Sequence, residues 1–164
     1  MAPQSGLPAG EQRPRPYDPD RHEELVQRLG RILLEIAPSG WRRVDLRVTM
    51  TAAVSDVALT VLMPDGGSTE VEPPRDFADI AAELRSMMYV PDEGTWFGMR
   101  FTMDPPDEYR ISFNGGSDPH WEPPIPPGVW AHDLSVFPRT AEHIPPWLRA
   151  KLDSSSPPAS SGTS

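Results

Sequence analysis

GTWFGMRFTMDPPDEYRISFNGGSDPHWEPPIPPGVWAHDLSVFPR, from Gly94 to Arg139, decides how this chain reads. Phe97, Met99, Phe101 and Met103 alternate with Gly98, Arg100 and Thr102, the period-two pattern of a half-buried strand. After Pro105-Pro106-Asp107 the alternation resumes as Tyr109, Ile111 and Phe113, with Arg110 and Ser112 on the other face. Pro and Asp favour a turn, and the two runs are nearly equal in length, so the stretch predicts a β-hairpin. Beyond Asn114-Gly115-Gly116, two Trp, six Pro and one Phe precede Arg139. So many rigid groups outside a regular element predict an ordered ribbon packed on the sheet, and function is expected on that ribbon.

Upstream, the segment from Asp20 to about Ala37 reads as a helix. Asp20 with Glu23 forms a capping-box pattern, and Leu25, Leu29, Ile32, Leu33 and Ile36 make one apolar stripe. Gly30 inside it weakens the helix by about 1 kcal/mol relative to Ala. Strands follow at Trp41 to Thr51, Val57 to Met63 and, more weakly, Ser68 to Glu72, separated by turn residues such as Pro64-Asp65-Gly66-Gly67. A second helix runs from Arg75 to about Met88, with Phe77, Ile80, Ala81, Leu84 and Met88 as its stripe. Downstream of the hairpin, His132 to Phe137 reads as a short strand or turn, and Pro138 to Leu152 as partly helical.

The expected fold is α+β: an antiparallel sheet of about five strands, two main helices on one face, and an irregular C-terminal segment rich in Pro and aromatics. A single domain is expected at 19–153. Residues 1–18 and 154–164, rich in Pro, Gly and Ser, are expected to be disordered tails.

The 164 residues contain no Cys, which removes disulfides and thiolate zinc sites. No secretory pattern opens the chain and no apolar run approaches a membrane span, so a cytoplasmic protein with no membrane partner is expected. The net charge is −9. Residues 92–133 carry eight carboxylates against Arg100 and Arg110, a local balance of −6. That sign disfavours nucleic acid and suits a basic protein partner.

Chemistry-bearing groups are few. Asp118, His120, His132 and Asp133 lie close in sequence and are the types that bind metals or carry protons, but their spacing fits no tight template. Gly66-Gly67 and Gly115-Gly116 are turn glycines without phosphate-loop spacing, and no Ser has a nucleophile-elbow context. No catalytic activity, cofactor or metal is expected. The five Trp either fill the core or anchor an interface, and four of them abut turns or Pro-rich loops, which suggests partial exposure.

The order of these features carries a family likeness. A helix followed by Pro38-Ser39-Gly40-Trp41, the alternating strand, Leu84-Arg85-x-Met87-x-Tyr89, Gly94-Thr95-Trp96-Phe97, and the strand with Tyr109 and Phe113 resembles the YezG-like immunity proteins. Asp118-Pro119-x-Trp121, Asp133-Leu134, Phe137-Pro138-Arg139 and Ile144-Pro145-x-Trp147-Leu148 are similar to the end of actinobacterial relatives. Fourteen Arg against one Lys fit the coding bias of a high-GC bacterium. The resemblance spans about residues 20–152 and implies a small cytoplasmic α+β protein that neutralises a secreted polymorphic toxin. The expected docking residues are Asp104, Asp107, Glu108, Asp118, Trp121, Glu122 and Trp130, set against a basic catalytic cleft. The alternatives are a small hydrolase or nucleotide-processing enzyme built on the His/Asp set, or a secretion chaperone.

Overall fold

The computed structural model describes residues 12–154; of the tails expected at 1–18 and 154–164, residues 1–11 and 155–164 lie outside the described residues. In chain order the elements are α1 (Pro19–Ile36), β1 (Arg43–Met50), β2 (Ser55–Leu62), β3 (Ser68–Glu70), α2 (Asp76–Met87), β4 (Gly98–Asp104), β5 (Glu108–Asn114), α3 (Pro127–Val136), a 3-10 turn (Ala141–His143) and α4 (Pro146–Asp153). The five strands form one sheet in the order β3-β2-β1-β4-β5, every pair antiparallel. The α+β class and the five-stranded sheet are as the sequence predicts.

β1 is the centre: Leu46 faces Leu59 on one side and Phe101 on the other. Its Val44, Leu46, Val48 and Met50 are buried together with Leu59, Val61, Met99, Phe101 and Met103. Against this face lie Leu25, Leu29 and Leu33 of α1 and Phe77, Ile80 and Leu84 of α2. Each such side chain contributes about 1.5–3 kcal/mol relative to leaving it in water. Gly30, the weak point of α1 as a helix, has a packing reason. A Cβ there would lie 3.3 Å from Met103 Cε, so the missing side chain lets the helix sit close on the sheet. No helix among the described residues is long and apolar enough to cross a membrane.

Three expectations need correction. The cap of α1 is Asp18, whose carboxylate accepts from the N–H groups of Asp20 and Arg21, with Pro19 in the first turn. The capping box expected at Asp20 is therefore two residues late; Pro19 suits the first helical position because its missing N–H would be unbonded anyway. Residues 12–18, expected within the N-terminal tail, are joined to the domain. Gln12 is buried, its Nε2 donating to Thr51 O at 2.9 Å, and Arg15 N–H donates to Ser86 O. Composition shows apolar burial only, and this segment is held by hydrogen bonds instead.

The third correction falls on the C-terminal ribbon. Where a strand or turn was expected at His132 to Phe137, α3 runs through Val136. Trp130, Asp133, Leu134 and Phe137 recur at helical spacing on one face, and the charged Asp133 hides the stripe from a hydrophobicity reading. The 3-10 turn and α4 follow, so Pro138 to Leu152 is partly helical as predicted. This region has its own cluster: Phe97, Trp130 and Leu148 buried at the centre, with Trp121, Ile125, Leu134, Ile144, Trp147 and Leu152 around them.

Candidate partner-binding surface

One buried polar knot fastens the aromatic cluster to the sheet domain. Arg85 of α2 is fully buried and forms a two-pronged ion pair with Asp133 of α3, at 2.8 and 3.0 Å. Its Nε donates to Trp96 O, and Nη1 also donates to Gln12 Oε1. Its plane packs on the rings of Phe97 and Phe137. Asp133 in turn accepts from the Ala52 N–H at 2.7 Å. Every polar atom of this pair that the helices bring together thus finds a partner, the condition under which a buried charge pair is tolerated. Asp133 is consequently a structural clamp and is not free to serve as a base beside His132, which is exposed.

Arg139 is the second fastener. It is half-buried, lies over Phe97, and donates to the carbonyls of His143, Thr95 and Gly115. Burial pushes its guanidinium below the ordinary value, and Asp133 only partly offsets that. Gly94 lies against it in the left-handed region, with φ of 104°, and a Cβ there would collide with the guanidinium. The GTWF motif therefore reports backbone approach to an arginine.

The expected docking residues separate into two groups. Asp104, Asp107 and Glu108 stand at the tip of the β4–β5 hairpin, whose turn carries a cis Pro105–Pro106 peptide. They line a shallow cleft of about 390 Å³ with Thr102, Tyr109 and Arg110. Asp118, Trp121, Glu122 and Trp130 lie beyond the other end of β5. At ~3.4 Å per residue, β5 sets the groups about 20 Å apart, so a single continuous face over all seven is not formed.

Within the distal group, Trp130 is 2% exposed and makes edge contacts with Phe97, Trp147 and Trp121. It is a core residue, which corrects its assignment as a docking anchor; a Trp on a helix facing another helix is buried whatever its flanking prolines suggest. Trp121 is half-buried and Glu122 exposed. Asp118 lies 3.6 Å from Lys151 Nζ and 3.8 Å from His120 Nδ1.

The fold also redistributes charge. Arg43 grips Asp104 with two bonds, at 2.8 and 3.1 Å, and that bonding holds the carboxyl below its ordinary value. Arg85 pairs with Asp133, and Lys151 Nζ lies 3.6 Å from Asp118. Three of the eight carboxylates in 92–133 are thereby matched by cations from outside that stretch. At the tip, Asp107 and Glu108 are exposed and make no ion pair among the described residues. The outward face of the sheet is polar, with Asp45 bonded by both Arg100 and Arg47.

The His/Asp set does not assemble. Asp133 is clamped, His120 projects into solvent at φ 55°, and no group of three or more His, Cys, Asp or Glu among the described residues is placed to hold a metal ion. Sequence reasoning missed Gln12, Arg85 and Arg139. Arg85 had a readable signal: it falls four residues after Ala81 and next to Leu84, on the apolar side of α2. No family model and no curated protein sequence matches the chain.

Proposed function

We propose that this chain is an immunity protein, which binds a cognate toxin domain and blocks its basic catalytic cleft. One observation carries the reading: Asp107 and Glu108 project from the hairpin tip at the rim of a shallow cleft without an ion pair among the described residues, while the neighbouring Asp104 is held by Arg43. Exposed rim charges speed encounter with an oppositely charged partner more than they hold it. The likeness to YezG-like immunity proteins supplies the partner class, and a cytoplasmic site of action follows from it.

The test uses a toxin domain sought in the reading frame adjacent to this one. Reversing Asp107 and Glu108 together to Lys is expected to slow association at low salt by tenfold or more and to change dissociation little. Surface plasmon resonance at two salt concentrations reads both rates. An unchanged association rate, or no binding by the wild-type protein, would remove the proposal. Toxin-independent turnover of a phosphoester or nucleotide that is lost in His120→Ala would favour the hydrolase reading in its place.

A further inference from the structure

The two edges of the sheet differ. β3 closes one edge with three residues, and β5 closes the other with seven. A long open edge carries a row of unpaired N–H and C=O groups that can template another strand, whereas a very short one blunts the edge. The direction of those groups on β5 is fixed by one bond: the Asn114 carbonyl accepts from Phe97 N–H at 2.8 Å, on the β4 side. Backbone groups alternate along a strand, so Glu108, Arg110, Ser112 and Asn114 bond toward β4. Tyr109, Ile111 and Phe113 turn their N–H and C=O outward.

The flank of this edge is apolar. Four large hydrophobic side chains are exposed among the described residues, one of them on β5 and one tied to it by ring contacts. Tyr109 is one, 42% exposed and stacked on Phe101 at 5.0 Å. Leu34 is another, one helical turn past Gly30, which sits against Met103, the residue opposite Tyr109. Tyr17 is the third and reaches Phe113 through the His22 ring.

We propose that this edge is a dimer interface, in which β5 pairs antiparallel with β5 of a second copy about a two-fold axis through Ile111. Ile111 then meets Ile111, Tyr109 meets Phe113, Arg110 meets Ser112, and Glu108 meets Asn114 of the second copy. All three outward-facing residues gain backbone partners, the apolar side chains face one another, and no like charges oppose. Moving the axis to Tyr109 sets Ile111 against Asp107; moving it to Phe113 sets Ile111 against Gly115. Of these three registers the strand matches itself best about Ile111, an isologous contact, and this self-match favours a second copy over an unrelated strand. The hairpin tip of one copy would then stand beside Asn114–Gly116 of the other, where Trp147 Nε1 donates to Gly116 O. The acidic tip and the aromatic end, separated within one chain, would meet across the axis. Use of that joined face for docking rests on the proposed function; the dimer does not.

Ser112 provides the test, because it is exposed on the outward face and opposes Arg110 in this register alone of the three. Sedimentation equilibrium of the full chain at about 100 µM, which populates any dimer with a micromolar Kd, is expected to give twice 18.2 kDa. Ser112→Arg sets two like-charge pairs across the axis and is expected to weaken the dimer about tenfold; Ser112→Glu sets two opposite-charge pairs and is expected to tighten it. Amide exchange at Tyr109, Ile111 and Phe113 should slow as protein concentration rises. A wild-type monomer, or a dimer that both substitutions leave unchanged or shift in the same direction, would overturn the proposal. A dimer that binds no toxin removes the proposed function alone, and a monomer that binds toxin removes the dimer alone.

Discussion

The inner face of the sheet and the C-terminal aromatic cluster are both dry, and they are held by different means. Under α1 and α2, burial is continuous: Leu29, Leu46, Phe77, Leu84 and Phe101 are all fully buried, and no charged side chain interrupts them. The aromatic cluster has three buried apolar residues at its centre and depends on Arg85, Asp133 and Arg139 for its attachment. Area alone organises the first region. The second is organised by groups whose partners must all be present at once, which makes it specific in geometry and sensitive to a single deletion.

Asp133→Ala is the sharpest way to break that contrast. It leaves the Arg85 guanidinium charged and unpaired in a dry site and removes the acceptor of Ala52 N–H. The expected cost is about 3–5 kcal/mol. Three of the five Trp, at 121, 130 and 147, belong to this cluster. Tryptophan fluorescence should therefore lose its native signal at lower denaturant than far-UV circular dichroism, which follows sheet and helices. Coincident transitions with a loss below ~1 kcal/mol would show that the knot is not what fastens the cluster. Phe101→Ala, of similar size at about 3–5 kcal/mol, should shift both signals together, because it opens a cavity beneath α1 where Gly30 and Met103 already approach closely.

The contrast also explains what could be read beforehand. Apolar residues every second position in β1, β2, β4 and β5 are the direct imprint of one buried sheet face, and strand pairing follows from hairpin turns. Where burial is carried by a charge pair, the imprint disappears. Asp133 reads as a polar residue beside His132, Arg85 as a charge next to the apolar stripe of α2, and Gln12 as part of a tail. The carboxylates of residues 92–133 suffered the same loss: Asp104, Asp118 and Asp133 look alike as sequence charges, yet Arg43, Lys151 and Arg85 reach them from 33 to 61 positions away. A local charge sum has no access to such partners.

Gln12→Ala probes the same knot from its edge. The amide side chain donates to Thr51 O and accepts from Arg85, so its loss leaves a buried carbonyl and one guanidinium N–H without that partner. About 1–3 kcal/mol is expected, measured by urea denaturation, with fluorescence again moving ahead of circular dichroism. A change within ±0.5 kcal/mol, the usual range for surface positions, would return residues 12–18 to the status of a tail.

The smallest expected effect lies on the outward sheet face, away from both dry regions. Burial raises the Asp45 carboxyl, but hydrogen bonding and charge from Arg100, with Arg47 in support, outweigh it and hold the group below its ordinary 3.8. A carboxylate depressed in the folded state stabilises the fold above its unfolded value and loses that contribution as pH falls through the folded one. Asp45→Asn should therefore lower the thermal midpoint at pH 7 by about 2–4 °C, the equivalent of roughly 1 kcal/mol for a partly exposed ion pair in a chain of this size. Below 3.8 the difference between wild type and variant should narrow, since the unfolded carboxyl takes up its proton first and the folded one follows at its lower value. Added salt should shrink the difference at pH 7, because Arg47 and Arg100 are half or more exposed. A difference that persists unchanged at pH 2 would mean that Asp45 acts through the hydrogen bond it accepts from the Thr102 hydroxyl instead of through charge.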